Sequence, residues 1–160
     1  MIKIILALTT ISHQTAIPVI DIHDWVLPSY GSAMVFEIKR NGKKIGIHQV
    51  DFKTNNEQLS IESKTKIRVK FLFFNAYKFD YNSLEKWKNG ELVSLLSTTN
   101  DNGKKSTVNL ASGTDIINVT INDDTHVNSL DDLKYTTNHW NPNVLAAKQV
   151  LNTITCKSNQ

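Results

Sequence analysis

Between Leu59 and Phe71 the chain alternates. Leu59, Ile61, Ile67, Val69 and Phe71 fall on one parity, and Glu62, Lys64, Lys66, Arg68 and Lys70 on the other. Successive side chains of a strand point to opposite faces, so this period of two predicts a long strand with one dry face. Ser63 and Thr65 interrupt the apolar side only mildly. The run Phe71-Leu-Phe-Phe74 breaks the alternation, which predicts a strand bend, a bulge or a stretch buried on both faces. Beyond it Tyr77, Phe79, Tyr81, Ser83, Glu85 and Trp87 share a parity again.

The flanking segments repeat this grammar. Ala33 to Arg40 alternates and meets Asn41-Gly42, whose residues tolerate the positive φ of a tight hairpin, and Lys44 to Lys53 forms the return arm. Asn89-Gly90 turns into a strand from Glu91 to Thr99, and Asp101-Asn-Gly103 turns into another from Lys104 to Leu110. Ser112-Gly113 precedes the β-branched segment Asp115 to Asn122, which Asp123-Asp124 ends. The pattern predicts about seven strands in a meander joined by short loops.

The two ends read differently. Ala16 to Gly31 contains Pro18 and Pro28, which argue against a central strand and predict an irregular lead-in or an edge. Near the C-terminus Asn141-Pro142 offers a cap followed by proline in the first turn. Val144, Leu145, Lys148 and Leu151 follow at helical spacing, predicting a short helix packed on the sheet. Lys3 followed by the apolar run Ile4 to Ile11 resembles the start of a secretory signal peptide, with Gln14-Thr15-Ala16 as a poor cleavage site. The expectation is a leader over residues 1–16, export to the periplasm and a single β-rich domain over 17–160; the alternative for the first residues is an N-terminal strand. No run reaches the roughly 18 apolar residues of a membrane-spanning helix.

Composition narrows the chemistry. The chain has 160 residues, 40% hydrophobic and 21% charged, with a formal net charge of +3. That balance fits a globular domain and lacks the concentrated basic excess of a nucleic-acid binder. One cysteine, Cys156, excludes an intrachain disulfide and a multi-cysteine metal site. The five histidines include no pair four residues apart, and His48 and Asp51, three apart on a strand, face opposite ways. Asp21, His23 and Asp24 lack the glycine and oxygen-ligand spacing of a calcium loop. Neither a Gly-x-Ser-x-Gly elbow nor a phosphate-binding glycine loop occurs. No cofactor and no metal are expected.

Two rows of residues remain as candidates. Lys64, Lys66, Arg68 and Lys70 place four cations on one strand face, suited to phosphates or anionic headgroups, or alternatively to a solvated face countered by acidic neighbours. Tyr77, Phe79, Tyr81, Glu85 and Trp87 form an aromatic file with one carboxylate, either core or the lining of an apolar site. A buried Glu85 would have a raised pKa, as a catalytic acid requires, although a structural partner accounts for it equally.

Together, the segments Asn41-Gly-Lys-Lys-Ile-Gly-Ile-His48, Val69-Lys-Phe-Leu-Phe-Phe-Asn-Ala-Tyr77, Glu85-Lys-Trp87, Asn100-Asp-Asn-Gly103, His139-Trp-Asn-Pro142 and Leu151-Asn-Thr153 resemble the bacterial family known as domain of unknown function 6134. The resemblance covers about residues 33–155, with the segments in the same order. It implies exported proteins of Gram-negative bacteria, a curved antiparallel sheet (a meander, half-barrel or clam-like form) and no established activity. Members usually continue beyond the Leu-Asn-Thr motif, and a glycine usually follows it where this chain has Cys156. A C-terminally truncated member lacking closing strands is therefore expected. The leading functional expectation is a non-enzymatic envelope protein whose sheet binds an apolar or lipid-like ligand. The alternatives are a hydrolase-like enzyme using Glu85 in a cleft, and a structural or partner-binding module.

Overall fold

The computed structural model describes residues 22–55, 58–71, 74–112, 116–121, 124–129, 135–138, 140–155 and 157–159. The leader expected over residues 1–16 lies outside them, as do Asp21 and Cys156.

The alternating segments form an open antiparallel sheet. Its strands are β1 (Ala33–Arg40), β2 (Lys43–Asn55), β3 (Gln58–Phe71), β4 (Phe74–Lys88), β5 (Glu91–Asp101), β6 (Lys104–Ser112), β7 (Ile116–Ile121) and β8 (Asp124–Ser129), each beside its sequence neighbour. Three hairpins turn on Asn-Gly pairs with positive φ at both positions: Asn41-Gly42, Asn89-Gly90 and Asn102-Gly103. Positive φ at both central residues matches the twist of paired strands, and asparagine and glycine adopt it at little cost. The last strand, β8, is one more than the roughly seven that the sequence pattern predicts.

Register sorts the residues into rows across the sheet. Phe52, Ile61, Glu85, Leu95 and Leu110 are successive partners from β2 to β6. The adjacent row is Val50, Ser63, Ser83, Ser97 and Val108, and the next is His48, Thr65, Tyr81, Thr99 and Ser106. These rows share one face, which carries the buried core. The opposite parity, with Lys64, Lys66 and Arg68, looks outward, as the alternation in β3 predicts.

Among the described residues, strict alternation fails at three bulges. The β4–β5 register shifts at Lys86/Trp87, leaving Val93 unopposed and keeping both Leu92 and Leu95 on the dry face. A second shift at Val69/Lys70 leaves Ala76 unopposed, and a third at Ile38/Lys39 leaves Ile45 unopposed. At the break in Phe71-Leu-Phe-Phe74, Phe71 at the end of β3 pairs antiparallel with Phe74 at the start of β4, and the bulge lies outside that run.

Both chain ends depart from the sequence reading. Residues Ile22–Tyr30 form helix α1, where an irregular lead-in or edge was expected. Pro28 does rule out a central strand, but near the end of a short helix it removes only one backbone bond. Gly31, at φ 69°, closes the helix through its N–H to Leu27 O at 2.8 Å. Val26 is fully buried, and Tyr30 stacks on Phe52 with centroids 5.7 Å apart. At the C-terminus the expected helix is only a 3-10 turn, Pro142–Ala146, followed by β9 (Val150–Leu151), which pairs with β10 (Ser158–Asn159). The Asn141 cap is present, accepting from Asn143 N at 3.0 Å. The turn stops because Leu151 is drawn back to residues 135–137: its N–H donates to Tyr135 O at 2.7 Å, and its carbonyl accepts from Thr137 N at 2.9 Å. Tertiary pairing overrides the local helical spacing, and Leu145 is left 91% exposed.

At Gly46, the last β2 residue paired with β3, there is no room for a side chain. A Cβ there would lie 2.3 Å from Lys66 O and 3.1 Å from the Ile67 Cα, both backbone atoms that cannot swing away. Gly46→Ala is expected to cost about 1–3 kcal/mol in urea unfolding. An unchanged midpoint would show that the strands separate without penalty.

Candidate functional site

Glu85 sits at the centre of the row from Phe52 to Leu110, and it is fully buried. The segment 135–155 crosses this face as a strap and supplies three of its four partners. Glu85 Oε2 accepts from Trp87 Nε1 at 2.8 Å and from Trp140 Nε1 at 3.3 Å. Oε1 accepts from Thr136 Oγ1 at 3.1 Å and from Asn138 Nδ2. Among the described residues no cation forms an ion pair with it. Burial pushes the Glu85 carboxyl above the ordinary carboxylate range, and the donations from Trp87, Asn138, Thr136 and Trp140 oppose that shift.

The same strap is fastened one and two rows further along. Asn138 Nδ2 also reaches Ser83 Oγ at 3.3 Å. The Tyr81 hydroxyl donates to Thr153 Oγ1 at 2.6 Å and lies 3.4 Å from Asn138 Oδ1. Ser97 Oγ donates to the Thr153 carbonyl. Burial also raises the Tyr81 phenol above its usual range. Trp140 packs edge-on against Trp87 with centroids 5.4 Å apart and against Phe52 at 6.2 Å, so the polar cluster has an apolar wall.

This geometry sorts the aromatic file. Tyr81, Glu85 and Trp87 converge beneath the strap against packed neighbours. Tyr77 and Phe79 lie half-buried towards the other end of β4, where a hydrogen bond with Asp101 raises the Tyr77 phenol. His48 Nδ1 lies 2.8 Å from Thr65 Oγ1, while Asp51 accepts from Gln49 Nε2 at 2.8 Å; the two belong to opposite faces, as their spacing requires.

The outward face has its own feature. Pairing between β2 and β3 runs from Asn55 and Gln58 to Gly46 and Ile67 and then stops. Beyond that point β2 stays with β1, through Lys39–Lys44 and Arg40–Lys43, and β3 stays with β4, through Lys70–Asn75 and Phe71–Phe74. The sheet forks between two hairpins. A groove of about 960 Å³ fills the fork, with Ile45, Ile47 and Val69 on its apolar side. Arg40, Lys43, Lys44, Lys64, Lys66, Arg68 and Lys70 also line it, and among the described residues no carboxylate does.

Three of those cations are countered from outside the groove. Lys44 meets Glu37 at 2.8 Å, Lys64 meets Glu62 at 2.6 Å and Arg68 meets Asp80 at 2.6 Å. Arg68 also donates to the carbonyls of Ile67 at 2.8 Å and Phe79 at 3.1 Å, which holds it against the sheet. Among the described residues, Arg40, Lys43, Lys66 and Lys70 have no carboxylate within 4.0 Å. The four-cation row of β3 is therefore half countered and half free. Sequence reasoning found that row but missed its facing wall, Arg40 to Ile47; the basic residues flanking Asn41-Gly42 were the available signal.

Fold and site together define an open antiparallel β-sheet protein whose buried face is closed by a C-terminal strap and whose outer face is split by a cationic fork. The family described as Domain of unknown function (DUF6134) matches residues 36–160, and the chain belongs to it. No curated protein and no solved structure matches the chain. The motifs Glu85-Lys-Trp87, His139-Trp-Asn-Pro142 and Leu151-Asn-Thr153, distant in sequence, are the ones that supply Glu85, Trp87, Trp140 and Thr153 to the buried cluster.

Proposed function

We propose that the protein is a non-enzymatic envelope module that binds a lipid-like ligand, and that the fork between the β1–β2 and β3–β4 hairpins is where it does so. The observation that carries this reading is the groove itself: about 960 Å³, with Ile45, Ile47 and Val69 beside a cationic rim that contains no carboxylate among the described residues. That volume lies near the upper end of small-molecule sites, roughly 300–1,000 Å³, and the lining pairs an apolar surface with charge, as an amphiphile does. Export through a leader at residues 1–16 and curvature of the sheet around the ligand belong to the same proposal.

The aromatic file supports the reading less directly. Tyr81, Glu85 and Trp87 are buried under the strap, so they act as backing for the sheet while the ligand occupies the other face. A hydrolytic role for Glu85 has weaker support, because both its oxygens are taken by donors and no substrate atom could approach them without displacing Trp140 or Asn138. The test is native mass spectrometry with lipid extraction on the full chain purified from a bacterial periplasm. A stoichiometric amphiphile that is lost in Ile47→Glu is the expected result. Folded protein without any adduct, and without affinity for a fluorescent fatty-acid probe, would overturn the proposal.

A further inference from the structure

The charge inventory of the fork says what kind of head its ligand carries. Resting on the binding reading above, we infer that the ligand is an amphiphile whose headgroup bears more than one phosphate-type group. Three lining cations already have carboxylate partners, and Arg40, Lys43, Lys66 and Lys70 do not, among the described residues. A single fatty-acid carboxylate would leave about three of these charges uncompensated, whereas a phosphate monoester carries about −1.5 to −2, so two such groups match the four.

Placement points the same way. Lys66 stands opposite Ile47, close to the closed end of the fork at Gly46 and Ile67. Lys70 lies four residues further along β3, roughly 13 Å at the rise of a strand, too far for one phosphate to touch both. On the facing wall Arg40 and Lys43 are direct cross-strand partners. Their Cβ atoms are therefore about 5 Å apart, a spacing at which two cations share one anion. The fork thus has cations at its closed end and at its open end, with Ile45 and Val69 among the residues between. Arginine supplies a bidentate fork and lysine a point charge, and both are suited to phosphate oxygens.

The test compares soluble lipids with identical chains on the full protein by isothermal titration calorimetry below their aggregation thresholds. Dioctanoyl phosphatidylcholine, dioctanoyl phosphatidic acid and dioctanoyl phosphatidylinositol bisphosphate differ only in the head. The expected order is weakest to tightest in that sequence, with about tenfold between the last two. Lys66→Gln combined with Lys70→Gln is expected to weaken the bisphosphate lipid about tenfold and phosphatidylcholine, whose single phosphate is offset by its own choline, by much less. Both lysines are exposed, so circular dichroism of the double variant should match the parent. Equal affinity for all three lipids would overturn the headgroup inference while leaving lipid binding in place. Inositol trisphosphate binding as tightly as the bisphosphate lipid would replace it with a site for free polyphosphate. Binding of none of the three would remove both this inference and the reading on which it rests.

Discussion

Alanine at position 85 is expected to lower the unfolding free energy by about 3–5 kcal/mol, the largest single effect foreseen for this chain. The substitution removes the acceptors of Trp87 Nε1, Trp140 Nε1, Thr136 Oγ1 and Asn138 Nδ2 at once, and a fully buried site gives them no water in exchange. Glu85→Gln keeps the volume and one carbonyl but turns an amide against donors, so its cost should be smaller. The glutamine variant also isolates the pH dependence. Because the folded pKa of Glu85 is raised, the native state holds this proton more tightly than the unfolded chain does, whose glutamate titrates near about 4.3. The group's contribution is complete below that value and is lost as pH rises through the folded pKa. Urea unfolding across an acid-to-neutral series should show parent stability falling relative to Glu85→Gln. A relative rise would mean that the four donors outweigh burial and hold the carboxylate ionised.

Trp140→Ala should cost a similar amount, about 3–5 kcal/mol. Trp140 is almost fully buried, packs edge-on against Trp87 and Phe52 and donates to Glu85, so its loss opens a cavity between strap and sheet. Trp140→Phe retains most of the apolar body and removes the N–H, which should limit the loss to about 1–2 kcal/mol. Thermal and urea unfolding of the two variants separate packing from hydrogen bonding. If Trp140→Ala unfolds within about 1 kcal/mol of the parent, the strap does not close the core in solution.

What the sequence made legible was governed by neighbours along the chain. Alternation in β3 and β4 assigned the dry and wet faces, and the Asn-Gly pairs placed three reversals, because parity and positive φ are local properties. Leu92 and Leu95 share a face only through the bulge at Val93, which alternation does not disclose. Val144 to Leu151 has helical spacing, yet Leu151 pairs with Tyr135 and Thr137, a partnership set by tertiary contact. Pro28 argued correctly against a central strand and was silent about α1. Glu85 stood out as the odd carboxylate in an aromatic file, but three of its four donors come from the strap, more than fifty residues away. The fork was least legible of all. Its cause is the point at which β2 and β3 stop pairing, and nothing in Lys43 to Ile45 or Arg68 to Phe71 announces that.

The central claim, that ligand is held in the fork, is tested most directly by hydrogen–deuterium exchange of the full chain with and without dioctanoyl phosphatidic acid. The account predicts protection confined to residues 40–49 and 64–71, with the strap and the 81–87 stretch of β4 unchanged. Protection over residues 135–155 and 77–87 without change in the fork would contradict it, placing the ligand beneath the strap and against the aromatic file.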